Sequence, residues 1–93
     1  SWGIHSHYTN LVVSRCRFRH NGGGIRFRSG PITIKDSLFR GNGIGLRAFR
    51  AHGVISGNVI TGNEIGVFIR EQGGGVRVNH NTIAGNDRYN MRL

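Results

Sequence analysis

Apolar residues recur in this chain at fixed offsets from a set of asparagines. Four segments align on a closing Asn: RCRFRHN (15–21), DSLFRGN (36–42), GNVITGN (57–63) and HNTIAGN (80–86). The closing residues Asn21, Asn42, Asn63 and Asn86 are spaced by 21, 21 and 23 positions. Three residues before each stands a large apolar side chain (Phe18, Phe39, Ile60, Ile83). Five before that stands another (Val13, Ile34, Ile55, Val78). A further apolar pair follows each asparagine: Ile25 and Phe27, Ile44 and Leu46, Ile65 and Val67, Tyr89 and Met91. Ile4 begins the same feature ahead of the first segment.

Within each segment the apolar positions alternate with period two, as in a strand that buries one face. No stretch sustains a helical 3.6-residue period, and Gly and Asn fill the intervals as turns require. Each repeat therefore predicts about three short strands, and a repeat this short buries its apolar face only by stacking on its neighbours. The expected fold is all-β: a parallel β-solenoid of about four coils of 19–24 residues, one domain over residues 1–93. The chain opens at SWGIH inside the pattern and stops at YNMRL inside a strand-like segment. A piece of a longer solenoid is therefore expected, its strand edges covered by further coils or a protein partner.

Stacking also accounts for amides inside apolar runs such as ISGNVITGNEIGV (55–67). Residues one coil apart lie above one another, so Asn21, Asn42, Asn63 and Asn86 form a column. Each amide donates to one layer and accepts from the next. A second column, Cys16, Ser37, Asn58 and Asn81, is small or polar throughout. Cys16 is expected there as an inert, small core residue.

These repeats resemble the right-handed parallel β-helix repeats of pectate-lyase-like proteins. They are most similar to the carbohydrate-binding and sugar-hydrolase repeat group that includes the NosD-type periplasmic proteins. The resemblance spans essentially the whole chain. It implies a right-handed coil and an extracellular or periplasmic location, although no signal peptide opens the sequence. It leaves function open, because the fold hosts lyases, epimerases, maturation proteins and adhesins. The Asp-Pro-His-Asp motif of the mannuronan epimerases is absent, since the sole proline, Pro31, precedes Ile32. No catalytic residue carries over.

Charge narrows the partners. Twelve Arg and one Lys face four acids, for a formal net charge of +9. Such a balance favours anionic partners, and the arginine fork matches planar carboxylates. The charge leaves nucleic acid open as a partner, but specific recognition is not expected: most aromatic residues fall at core positions and no known module matches. There is no run of about 18 apolar residues to cross a membrane as a helix. The single Cys16 makes no internal disulfide. The glycine runs GGGIRF (22–27) and GGG (73–75) lack the lysine and hydroxyl of a phosphate loop and read as turns. Of the acids, Glu64 and Asp87 share a column, too few for the six or more oxygens calcium takes. Asp36 is expected to pair with Arg15 one coil away, and Glu71 falls in a loop. His5 and His7, two apart on one strand, can begin a metal site, but Arg26 and Arg28 occupy the same columns one coil on. Neither a metal nor a cofactor is expected.

The corner between the first and second strand varies. Ile4 to Leu11 and Ile25 to Ile32 span seven positions, Ile44 to Gly53 nine and Ile65 to Val76 eleven, as though RAH (50–52) and EQGGG (71–75) were growing insertions. Insertions in solenoids gather on one face, often the binding face. Counting outward positions beside this corner places His7, Arg28, Arg47, Phe68 and Arg92 in one column and Gly30, Phe49 and Arg70 in another. The candidate ligand residues are therefore Arg28, Arg47, Phe49, Phe68, Arg70 and Arg92. Rings among guanidiniums suit the apolar face and the carboxylate of an acidic sugar. The competing structural reading has the loops fold down over both phenylalanines. The favoured function is a noncatalytic binding or scaffold module of an exported protein, directed to an acidic polysaccharide or a protein partner. The alternatives are a segment of a polysaccharide lyase or uronate epimerase, with Arg47 or Arg70 neutralising a carboxylate, and a purely structural part of a larger assembly.

Overall fold

A computed structural model of the chain describes residues 2–7, 10–20, 22–70 and 75–92. Its strands are β1 (Trp2–His7), β2 (Leu11–Ser14), β3 (Arg17–Arg19), β4 (Gly23–Lys35), β5 (Leu38–Arg40), β6 (Ile44–Ser56), β7 (Val59–Thr61), β8 (Ile65–Arg70), β9 (Gly75–Asn79), β10 (Thr82–Ala84) and β11 (Tyr89–Arg92). Each pairs in parallel with the strand one coil away. One sheet runs β1-β4-β6-β8-β11, with β2 and β9 on the far halves of β4 and β6; a second sheet runs β10-β7-β5-β3. The chain is thus an all-β parallel solenoid of about four turns. β4 and β6 each continue for 13 residues around a corner. Ser29 (φ 59°) and Arg50 (φ 49°) make that bend in the left-handed region.

The expected columns form. Phe18, Phe39, Ile60 and Ile83 align across the second sheet, and Val13, Ile34, Ile55 and Val78 across the first. The Phe18 and Phe39 rings stack with centroids 4.8 Å apart and planes 8° from parallel. That distance is the strand spacing itself. Phe27, Phe39, Ile25, Ile34, Leu46, Ile55 and Ile60 are fully buried.

Two amide ladders run beside this core. The Asn42 backbone N–H and Nδ2 both donate to Asn63 Oδ1 (2.9 and 3.0 Å), and Asn42 Nδ2 also donates to the Phe18 carbonyl (2.9 Å). Asn63 repeats the arrangement toward Asn86 Oδ1 and the Phe39 carbonyl, each at 3.0 Å. Asn86 then donates from N–H and Nδ2 to Asn90 Oδ1 (3.2 and 3.1 Å), so the column closes within its own coil. In the second ladder Asn58 donates to Asn81 Oδ1 and receives the Ser37 N–H. Ser37 Oγ accepts the Cys16 N–H at 3.1 Å and donates to the Lys35 carbonyl at 2.9 Å. No buried side-chain polar atom among the described residues lacks a partner. Asn21, the expected first member of the first column, lies outside the described residues.

Three expectations need correction. Ile25 does not align with Ile44 and Ile65. It pairs with Leu46, which pairs with Val67, while Ile44 pairs with Gly23 and Ile65. The physical reason is continuity along the strand: the far half of β4 pairs with β6 at an offset of 21 residues (Ile34 with Ile55), as β3 does with β5, and the near half keeps that offset. Glycine permits the close approach it brings, since a Cβ on Gly45 would stand 2.7 Å from the Gly66 carbonyl oxygen. The corner is then constant at seven positions through Leu46 to Gly53, and RAH (50–52) is ordinary strand inside β6. Only the last coil is longer, across 71–74, outside the described residues. Second, Cys16 takes its ladder place but is exposed, since a described coil lies on only one side of it. Third, Arg15 and Asp36 make no ion pair. Both turn in the left-handed region (φ 54° and 52°), and Asp36 Oδ1 lies over Gly57 instead.

The ladders are testable. Asn58→Ala should cost about 3 kcal/mol, because the Ser37 N–H loses its acceptor while the Ile34 carbonyl loses a donor. Asn58→Ser should cost about half as much, because Ser37 already serves the same column from the next coil. Urea midpoints at an unchanged denaturant slope provide the measurement. Equal losses for the two variants would contradict this account.

Candidate anion-binding face

Alternation along β4 puts Ile25 and Phe27 in the core and Arg26 and Arg28 outside, and β1, β6 and β8 follow the same rule. Register then stacks the outward residues. One column is His5, Arg26, Arg47, Phe68 and, by its backbone pairing, Arg92; the other is His7, Arg28, Phe49 and Arg70. The expected columns paired Arg28 with Arg47, and Phe49 with Gly30. The two-residue register difference instead sets Arg28 beside Phe49, and Arg47 between Arg26 and Phe68.

Within β6 and its pairing with β8, which is the expected one, Arg47 meets both rings. The Arg47 guanidinium carbon lies 4.5 Å from the Phe49 ring centroid and 5.7 Å from that of Phe68, and the rings are 6.2 Å apart. Contact with two ring faces attracts the cation and helps offset its repulsion from Arg26 on the adjacent strand. Lost hydration first, then the charges of Arg26 and Arg70, hold the Arg47 guanidinium below its ordinary pKa. A cleft of about 250 Å³ opens between these rungs, lined by Arg26, Arg28, Arg47, Phe49 and Arg50 over Phe27. Arg28 and Arg70 are exposed, while Arg47, Phe49 and Phe68 are half-buried. The side chain found against both rings is Arg47; residues 71–74, expected as a possible cover, lie outside the described residues.

Arg26 and Arg50 were missed as members of this site. Alignment on Gly24, Gly45 and Gly66, instead of on the first apolar residue of each strand, would have placed Arg26 beside Arg47. Arg50 carried no such signal, because its direction follows from the bend in β6. The described acids stand apart from the cleft lining: Glu64 faces Arg88 at 3.6 Å on the exposed surface, and Asp36 is in its turn. Glu71 lies outside the described residues.

A family model described as a right-handed β-helix region matches residues 2–93. The chain belongs to the right-handed β-helix family. Comparison with curated proteins and with solved structures produced no match. Membership accounts for the hand of the coil and for the stacked columns, and leaves the chemistry of the outward face to its own residues.

At the amino-terminal rung of this β-helix, His5 and His7 meet through their Nε2 atoms at 2.6 Å, with rings tilted by 58°. Arg26 and Arg28 flank them on β4. No group of three or more His, Cys, Asp or Glu gathers into a metal site among the described residues. Lost hydration first, then charge on His7 and on Arg26, holds the His5 imidazole below the ordinary histidine value. The folded β-helix therefore takes up this proton at lower pH than the unfolded chain does. The stabilising difference is whole above about pH 6.5 and declines as pH falls through that value and then through the lower folded one. His5→Gln should flatten the fall in urea midpoint between about pH 7.5 and 5; an unchanged pH slope would remove His5 as its source.

Proposed function

We propose that this β-helix is a noncatalytic binding module of an exported protein, and that its arginine–phenylalanine face takes an acidic polysaccharide. The observation that carries the reading is the convergence of Arg28, Arg47 and Phe49 on one cleft, with Arg26 and Arg50 completing a charged lining that is cationic among the described residues. Guanidinium forks accept carboxylates in pairs. An aromatic ring beside them suits the apolar face of a pyranose, and Phe68 extends that surface by one rung. Arg70 continues the column of Arg28 and Phe49, and Arg92 falls on the rung beyond Phe68.

Polygalacturonate is the probe. Arg28→Gln combined with Arg47→Gln should weaken binding at least about tenfold, equivalent to about 1.4 kcal/mol, with an unchanged far-ultraviolet circular dichroism spectrum. Unchanged affinity in the double variant would overturn the reading. Ultraviolet-absorbing unsaturated ends, formed by the wild-type chain and lost in the double variant, would replace it with that of a lyase segment.

A further inference from the structure

We propose that the β-helix carries a second anion-binding face on its four-stranded sheet and thereby joins two acidic polysaccharide chains. The proposal rests on the reading of the first face given above. In β3 and β5 the inward residues are Phe18 and Phe39, both buried, so the flanking Arg17, Arg19 and Arg40 point outward and are exposed. Arg19 pairs in register with Arg40. Two guanidinium-bearing side chains thus start about 4.8 Å apart on adjacent strands, a like-charge placement that destabilises the sheet unless an anion or solvent intervenes. Arg17, Arg19 and Arg40 make no ion pair within 4 Å among the described residues; the pair present, Arg88 with Glu64, involves neither strand. Beside them an open hollow of about 450 Å³ is lined by Arg15, Arg17, Leu38 and Val59, together with Asp36. Asp36 offsets one of the four arginine charges, which leaves this side cationic.

The two faces belong to different sheets packed on one core. Phe39 points into that core toward β4, where a Cβ on Gly24 would lie 2.8 Å from its Cδ2. The outward side chains of β3 and β5 therefore leave the core from a different sheet than those of β4 and β6. A polyanion lying on one face leaves the other open. The second face differs in having no outward aromatic ring: its other described outward residues are Leu38, Val59, Thr61, Thr82 and Ala84. It holds its ligand through charge alone, and salt weakens it more than it weakens the first face.

Calorimetric titration with hexagalacturonate at low ionic strength tests both faces separately. The expected stoichiometry is two oligomers per wild-type chain. It falls to one in Arg19→Gln/Arg40→Gln, returns to two in Arg19→Lys/Arg40→Lys, and falls to one in Arg28→Gln/Arg47→Gln. Raising salt to about 150 mM should remove the site that depends on Arg19 and Arg40 first. With long polygalacturonate, light scattering should show bridging by the wild-type chain and soluble complexes with Arg19→Gln/Arg40→Gln. One oligomer per wild-type chain, unaffected by Arg19→Gln/Arg40→Gln, would overturn the second face and leave the first standing. Binding of none by any form would overturn both.

Discussion

A buried amide inside a stack has to find every hydrogen-bond partner in the layers above and below it, and this requirement organises the molecule. Asn63 receives Asn42 on one side and donates to Asn86 on the other, while its remaining donor capacity meets the Phe39 carbonyl. Leaving one such group unpaired in the interior costs on the order of 1–3 kcal/mol. The ladder therefore penalises any slip of one coil against the next. Isoleucine over isoleucine tolerates small displacements, because dispersion is not directional. The amide columns are directional, and they hold the apolar columns in step.

The same register controls the outside. Strand alternation sends every second residue of β4, β6 and β8 outward, and coil-on-coil pairing sets those residues in columns whether or not their charges agree. Arg26 beside Arg47 and Arg19 beside Arg40 are consequences of a register that the whole coil shares. On the first face two phenylalanine rings lie against the Arg47 cation. On the second, no ring lies against Arg17, Arg19 or Arg40 among the described residues. A surface with repulsion built into it gains most from an anion, which is the physical basis for reading both faces as binding surfaces.

A β-helix offers a binding face no single catalytic geometry; it offers a rung repeat. Substituents about 4.8 Å apart along the coil axis and about twice the strand rise apart across it form a grid. A polymer with regularly spaced anionic groups matches such a grid more readily than a compact metabolite does. Arg28, Arg47 and Phe49 occupy neighbouring grid points, so two charges and a ring lie one strand spacing or one strand repeat apart.

The sequence by itself determined the strand period, the coil length, both polar columns and the Phe18 and Val13 columns, because each rests on local alternation or on exact repetition of Asn. It also named Arg28, Arg47, Phe49, Phe68 and Arg70 as outward residues. Only the tertiary structure decided how the first half of β4 sits against β6, whereas β6 and β8 pair as their repeats suggest. Ile44 and Leu46 are equally apolar, so hydrophobic pattern alone cannot choose between them. The choice is made by the rest of the coil, where Ile34 over Ile55 and Phe18 over Phe39 impose an offset of 21 residues that a continuous β4 carries to its first half. That two-residue difference turned an apparent growing loop into plain strand, set Arg28 beside Phe49, and brought Arg26 beside Arg47. Side-chain columns are a property of pairing between coils, and pairing is settled by contacts that no single coil contains.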